Sequence, residues 1–212
     1  MQATGNNRSS LNDKKLSIRL RQGGQSFSLD TLSAPTSPTA VAVEIDTSLS
    51  AAYPDDTALS AAEVLAAEGI EVPEGWQVVV GHLPQLSVSV AAVVSQQALD
   101  ATSKLAERYG ATTEFEPLLG GAIIRAMESS RRSVRVALTA TEENLYIGIA
   151  QEGRLLFADS FRSISPDEAL YIVATIGKDF ELKRAEFTVF GEQGKAVAHK
   201  LKRYYRHVKC ES

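Results

Sequence analysis

At 212 residues, 44% of them hydrophobic, the chain has the size and composition of one large or two small globular domains. Its formal charge of -4 argues against wholesale binding to nucleic acid or to an anionic membrane, while leaving room for a local basic patch. One cysteine, Cys210, rules out a disulfide framework within the chain and fits a reducing compartment.

The start, MQATGNNRSSLNDKK, has no apolar core of the kind a signal peptide needs, and residues 1–14 read as a frayed polar tail. LSIRLR (16–21) alternates apolar and polar as a half-buried strand does. Gly23 and Gly24 supply the turn into a second alternating strand, QSFSLD (25–30). TLSAPTSP (31–38) reads as a loop and AVAVEID (40–46) as a third strand. A helix is expected over 60–69, capped by Ser60 and ended by Gly69. WQVVVG (76–81) is a buried strand, and LSVSVAAVV (86–94) starts as another. That run is too short to span a bilayer, so a cytoplasmic protein without membrane insertion is expected.

Residues 95–110 form a helix between Ser95 and Gly110, with Leu99, Thr102, Leu105 and Tyr109 on one face. TTEFEP (112–117) is extended, and 118–129 is helical. SVRVALTA (133–140), LYIGIAQ (145–151) and RLLFADSF (154–161) form a meander, the last two joined at Glu152 and Gly153. A helix over 165–180 follows, with Ser165 as cap and Pro166 as its first residue. A strand at 185–191 and a last helix at 194–208 complete the chain.

The second half thus reads β-β-β-α-β-α, and the first half starts with the same order. That implies mixed sheets with helices on their faces, in two subdomains, 15–115 and 116–212, across a cleft. In this order, and in KLSIRLRQGGQSFSLD, GRLLFADSFRSISPDEALYIV and FTVFGEQGKAVAHKLKRYYRHV, the chain resembles the duplicated actin-like ATPase (ribonuclease-H-like) fold. It also looks like an uncharacterised bacterial family of unknown function assigned to that fold. Similar halves occur in assembly proteins of secretion and pilus machines, where the fold serves as a docking platform.

The resemblance implies an ATP-Mg cleft in which two hairpin turns clamp the phosphates, each with an Asp followed by glycines. Gln22-Gly23-Gly24 keeps the glycines but not the Asp; Arg19 and Arg21 stand there instead. The second turn, Thr139-Ala140-Thr141-Glu142-Glu143-Asn144, has no glycine and two acids that repel phosphate. A late turn, Gly191-Glu192-Gln193-Gly194, matches the adenosine turn in part. If a nucleotide binds, Gly23, Gly24, Thr139, Thr141, Gly191 and Gly194 are the residues to hold it. The side chains argue against ATP hydrolysis, so a pseudo-ATPase without catalytic residues and without a cofactor is expected.

No other catalytic signature stands out. The first strand lacks the carboxylate of a two-metal nuclease, and Asp30 and Asp46 read as turn formers. His82, His199, His207 and Cys210 lack metal-ligand spacing, and His82 reads as a loop residue. The last helix carries an apolar stripe of Val197, Leu201, Tyr204 or Tyr205, and Val208. Around it lie Lys195, Lys200, Lys202, Arg203, Arg206 and Lys209, with Arg131, Arg132 and Arg135 as a conceivable extension. Of these, Lys195, Lys202, Arg203 and Arg206 are the candidates for docking an acidic protein partner or RNA.

Overall fold

The computed structural model describes residues 15–23, 26–33, 35, 38–128, 133–163 and 165–211. The expected tail at 1–14, Gly24, Arg131 and Arg132 lie outside these.

The first half opens with β1 (Lys15–Gly23) and β2 (Ser26–Ser33), an antiparallel pair. β2 therefore runs on through residues expected to be loop. β3 (Ala40–Asp46) pairs parallel with β1, on the side away from β2. It is not the third strand of a meander, as its place in the sequence suggested. β2 and β3 run in opposite directions on either side of β1, so the end of β2 and the start of β3 lie at the same end of the sheet. β4 (Ser50–Pro54), absent from the sequence reading, follows directly; its small residues and terminal proline give little strand signal.

The chain then forms α1 (Ala61–Ala67), β5 (Trp76–Leu83), β6 (Val88–Ser95), α2 (Gln96–Tyr109), β7 (Thr112–Pro117) and α3 (Leu118–Glu128). Ser60 caps α1 in a full capping box with Glu63, and Ser95 caps α2 through the Ala98 N–H. On α2 the buried residues are Ala98, Thr102 and Ala106, whereas Tyr109 is exposed. The half holds two sheets, β2-β1-β3-β7 and an inserted β4-β6-β5.

The second half contains β8 (Arg135–Ala140), β9 (Asn144–Gln151), β10 (Arg154–Arg162), α4 (Pro166–Ile176), β11 (Glu186–Phe190), α5 (Gly194–Leu201) and β12 (His207–Cys210). Its sheet runs β10-β9-β8-β11-β12, antiparallel in the meander and parallel beyond it. Glu152 and Gly153 join β9 to β10 with positive φ values of 52° and 74°, as a two-residue hairpin turn requires. The last helix ends at Leu201, seven residues earlier than its pattern suggests, and the chain returns to the sheet as β12.

Apolar alternation builds both cores. Ile18, Leu20, Val43 and Ile45 meet Val94 and Ala98 in the first half. Leu138, Ile147 and Ile149 meet Val173, Phe187, Val197 and Leu201 in the second. Each such side chain, fully buried, contributes roughly 1.5–3 kcal/mol. Val197, Leu201, Tyr205 and Val208 are all buried, although helix, turn and strand share them; Tyr204 points to solvent. A third cluster spans the halves, joining Val90 of β6 with Leu119, Ala122 and Ile123 of α3 and Tyr146 of β9. α3 lies so close to β9 that a Cβ on Gly148 would stand 2.7 Å from the Ala122 carbonyl oxygen.

Candidate functional site

The halves meet at Asp46, the last residue of β3, which is 0% exposed. Its Oδ1 accepts three hydrogen bonds from the second half: from the Thr141 hydroxyl at 3.1 Å, the Asn144 amide at 2.8 Å and the Tyr146 phenol at 2.7 Å. Burial, then the charge of Asp46 and the bond given to it, push the Tyr146 phenol well above its ordinary value, so it remains a donor. Asp46 is thus a buried acceptor, not a turn former. Asp30 lies within β2, exposed, 3.9 Å from the Arg21 guanidinium.

Above Asp46, two arginines of β1 cross the cleft. Arg19 grips Glu44 of β3 at 2.7–2.8 Å and Glu192 of the late turn at 2.5 Å. Arg21 reaches Glu142 of the second turn at 2.5 Å and Glu192 at 2.9 Å, with its Nε 3.7 Å from Asp46 Oδ2. Burial opposes the charge of both. The carboxylates, Glu44 and Glu192 around Arg19 and Glu192 and Glu142 around Arg21, outweigh it and hold both guanidiniums protonated. Arg21 Nε and Asp46 Oδ2 face each other with no hydrogen-bond partner among the described residues. The result is an ionic clasp tying β1 to both turns of the second half.

Four backbone donors of these turns are engaged internally. The Thr141 N–H donates to the Asn144 carbonyl at 2.9 Å, and the Asn144 N–H to the Thr141 hydroxyl at 3.1 Å. In the late turn the Gln193 N–H donates to the Ala140 carbonyl at 3.0 Å and the Gly194 N–H to that of Gly191 at 2.9 Å. Gly191 has φ +90°, and a Cβ there would stand 2.4 Å from the Ala140 oxygen, so close packing alone accounts for this glycine. Gly23 is exposed, with open space where a Cβ would be. Thr139 is buried and takes a long 3.4 Å bond from Arg125, whose guanidinium lies 4.1 Å over the Phe190 ring. Beside the clasp, and sharing Glu44 with it, a cavity of about 390 Å³ is lined by Leu83, Phe115, Glu116, Gly120 and Arg125 among others.

The candidate partner residues do not share one helix. Lys195 is exposed on α5, Lys202 and Arg203 lie in the turn beyond it, and Arg206 precedes β12; all are exposed. Lys200 is held by Asp167 at 2.7 Å. Arg135 does come near Arg206, along a groove shared with Lys209, but is paired with Glu186 at 2.6 Å. His82 belongs to β5, not a loop, and shares a hydrogen bond with the Ser89 hydroxyl at 2.7 Å; that hydroxyl donates to Asp55 at 2.5 Å. Serine sits in the middle and is 2% exposed, an order unlike a hydrolase triad, where histidine is central. Among the described residues no three His, Cys, Asp or Glu side chains cluster to hold a metal ion, and no helix is long and apolar enough to cross a membrane.

Two mixed α/β halves, the second with its strands ordered third-second-first-fourth-fifth, closed on a shared cleft, define the actin-like ATPase fold. Within it, the chain belongs to the family described as Protein of unknown function (DUF3822), whose model matches residues 67–208. Its structure is similar to that of a protein from Bacteroides thetaiotaomicron with actin-like ATPase fold and unknown function, at TM-score 0.71 and 16% identity over 98% of this chain and 94% of that one. It is also similar to a chain of the PilM-PilN type IV pilus biogenesis complex, at TM-score 0.54 and 11% identity over 94% of this chain and 88% of that one. No curated protein matches the chain.

Proposed function

We propose that this protein is a non-catalytic binding or assembly module of actin-like fold, its nucleotide cleft closed by ion pairs. The observation that carries the reading is the clasp. Arg19 and Arg21 hold Glu142 and Glu192 at 2.5–2.9 Å, between the turns where the fold would seat phosphates. A phosphate entering there would have to displace two carboxylates, and the N–H groups of Thr141, Gln193 and Gly194 are already given to Asn144, Ala140 and Gly191. The similar chain in the PilM-PilN complex is part of an assembly with a protein partner, which supports a role in protein contact.

Thermal unfolding with and without millimolar Mg-ATP tests this. A ligand at about 100 times its Kd stabilises by about 2.7 kcal/mol, a rise of roughly 5–10 °C for a chain of this size. No rise is expected. A rise of that order, abolished by Gly191→Val but not by Lys202→Ala, restores a nucleotide site and overturns the reading.

A second reading, contact with an acidic partner, draws on Lys202, Arg203, Arg206 and Lys209, all exposed and none in an ion pair among the described residues. It expects partner affinity to fall steeply with salt and with joint replacement of Lys202, Arg203 and Arg206.

A further inference from the structure

The cavity beside the clasp is lined from β3, β5, β7 and α3. Its volume, about 390 Å³, lies in the range of pockets that hold small molecules. It stands apart from the turns where the fold would seat phosphates, so what it binds does not depend on whether those turns take a nucleotide.

One row of charges runs across the first sheet into this cavity. Asp30, Arg19, Glu44 and Glu116 lie opposite one another in turn, on β2, β1, β3 and β7. The first three alternate in sign, and Arg19 binds Glu44. The last two do not alternate. Glu44 and Glu116 are directly opposed carboxylates, an arrangement that costs stability. Both line the cavity. Glu44 has Arg19 as its partner, and the neighbouring Glu114 has Lys15. Among the described residues no hydrogen bond or ion pair holds the Glu116 side chain. Burial raises its carboxyl above the ordinary range, although the residue is partly exposed; Lys15 opposes the shift, and Glu44 and Glu114 add to it. The row thus ends on a carboxylate that lacks a cation.

Arg125 is the converse. It meets no carboxylate among the described residues: its guanidinium rests over the Phe190 ring and reaches Thr139 only at 3.4 Å. Its side chain folds back one turn along α3, so that a Cβ on Gly121 would stand 3.3 Å from its Nη1. Glu116 and Arg125 line the same cavity without pairing, so a gap too wide for an ion pair separates them. Leu83, Phe115 and Pro117 make part of the remaining lining apolar.

We propose that this cavity binds a small zwitterion with an apolar body, an apolar amino acid or dipeptide, whose ammonium meets Glu116 and whose carboxylate meets Arg125. The ammonium completes the alternation of the row. The carboxylate gives Arg125 an acceptor that matches its planar fork. The apolar body covers Leu83, Phe115 and Pro117. A purely cationic ligand leaves Arg125 unpaired, and a purely anionic one meets two carboxylates.

The test is isothermal titration calorimetry of the full chain with phenylalanine and with the dipeptide leucyl-phenylalanine. Phenethylamine and phenylpropionate, each lacking one charge, are the comparisons. The expected result is that at least one zwitterion binds roughly tenfold or more tighter than either single-charge analogue. The tighter of the two zwitterions then tells a free amino acid from a peptide. Glu116→Gln should remove the advantage over phenylpropionate, and Arg125→Gln the advantage over phenethylamine, a pattern that loss of folding does not produce. Glu116→Gln also relieves the opposed charges, so its ligand-free Tm should not fall. Gly121→Leu fills the cavity, where Arg125 Nη1 alone stands within 4 Å of the new Cβ. It should abolish binding in a chain that melts no lower, since leucine favours a helix more than glycine does. Absence of binding by both zwitterions at millimolar concentration overturns the proposal. So does binding no tighter than that of the analogues, or binding that Glu116→Gln and Gly121→Leu leave unchanged.

Discussion

The two halves share a plan and use it differently. The second completes its five strands, and its third, β10, also braces the first half through Ser160. The first has four among the described residues and carries an inserted sheet, β4-β6-β5, that covers β7 on one flank and β10 on the other. The lesson is that strand order and side-chain chemistry separate here. The strand order of the actin-like fold is kept in the second half, while polar groups of the cleft tie the two halves together.

The strongest way to break that fastening is Asp46→Ala. It leaves the Thr141, Asn144 and Tyr146 donors buried without their acceptor and removes the counter-charge below Arg21. A loss of about 3–5 kcal/mol is expected. That corresponds to a Tm lower by roughly 10 °C, read by calorimetry or denaturant titration.

Next come the glycines, which sharpen the contrast between a packing glycine and a ligand-binding one. Gly148→Ala and Gly191→Ala each force a Cβ against a carbonyl oxygen, at 2.7 and 2.4 Å, and should cost about 1–3 kcal/mol. Gly23→Ala, with nothing within 4 Å, should stay within about 0.5 kcal/mol. A Gly23 variant as damaged as the Gly191 variant would show that the first turn does more than open space suggests.

Smaller effects follow at the clasp. Glu142 and Glu192 are partly exposed, so Glu142→Gln and Glu192→Gln should each cost less than about 1 kcal/mol, and less still in high salt.

The smallest expected effect concerns Asp159 on β10. Burial, eased by the Ser160 N–H and aggravated by Glu68 of the first half, raises its pKa above the ordinary 3.8. The sign follows from linkage. The native state binds this proton more tightly than the unfolded state does, so the contribution is complete below the ordinary value and is lost as pH rises through the raised one. Asp159→Asn should therefore match the parent at acid pH and exceed it slightly at neutral pH. Equal stability across the whole range would refute this.

Much of the second half was legible because its signals are local. Alternation over 145–151, the Glu152-Gly153 turn and the Ser165-Pro166 start each act within a few residues. The first half hid its layout because pairing partners are a tertiary choice. AVAVEID reads as a strand, but nothing local says which side of β1 it takes. The last helix was overextended because Leu201, Tyr205 and Val208 keep helical spacing while serving a helix, a turn and a strand of one core. The departure of these turns from the Asp-and-glycine pattern that the resemblance implies was visible in Arg19, Arg21, Glu142 and Glu143. The clasp itself was not, since Arg21 and Glu142 stand 121 positions apart. Asp46 gave even less sign: a carboxylate at a strand end resembles a turn residue until its partners, 95 to 100 positions later, are known.

That separation has a consequence in time. A chain made at about 5–20 residues per second exposes Asp46 on the order of 5–20 s before Thr141, Asn144 and Tyr146 exist. Throughout that interval the carboxylate has Arg21 near it but none of its three hydrogen-bond donors, and dehydrating it would be costly. The first half therefore has reason to stay open at β3 until the second turn has been synthesised. Closure of the cleft around Asp46 is therefore expected late in the making of the molecule, when the segment that carries its three donors arrives.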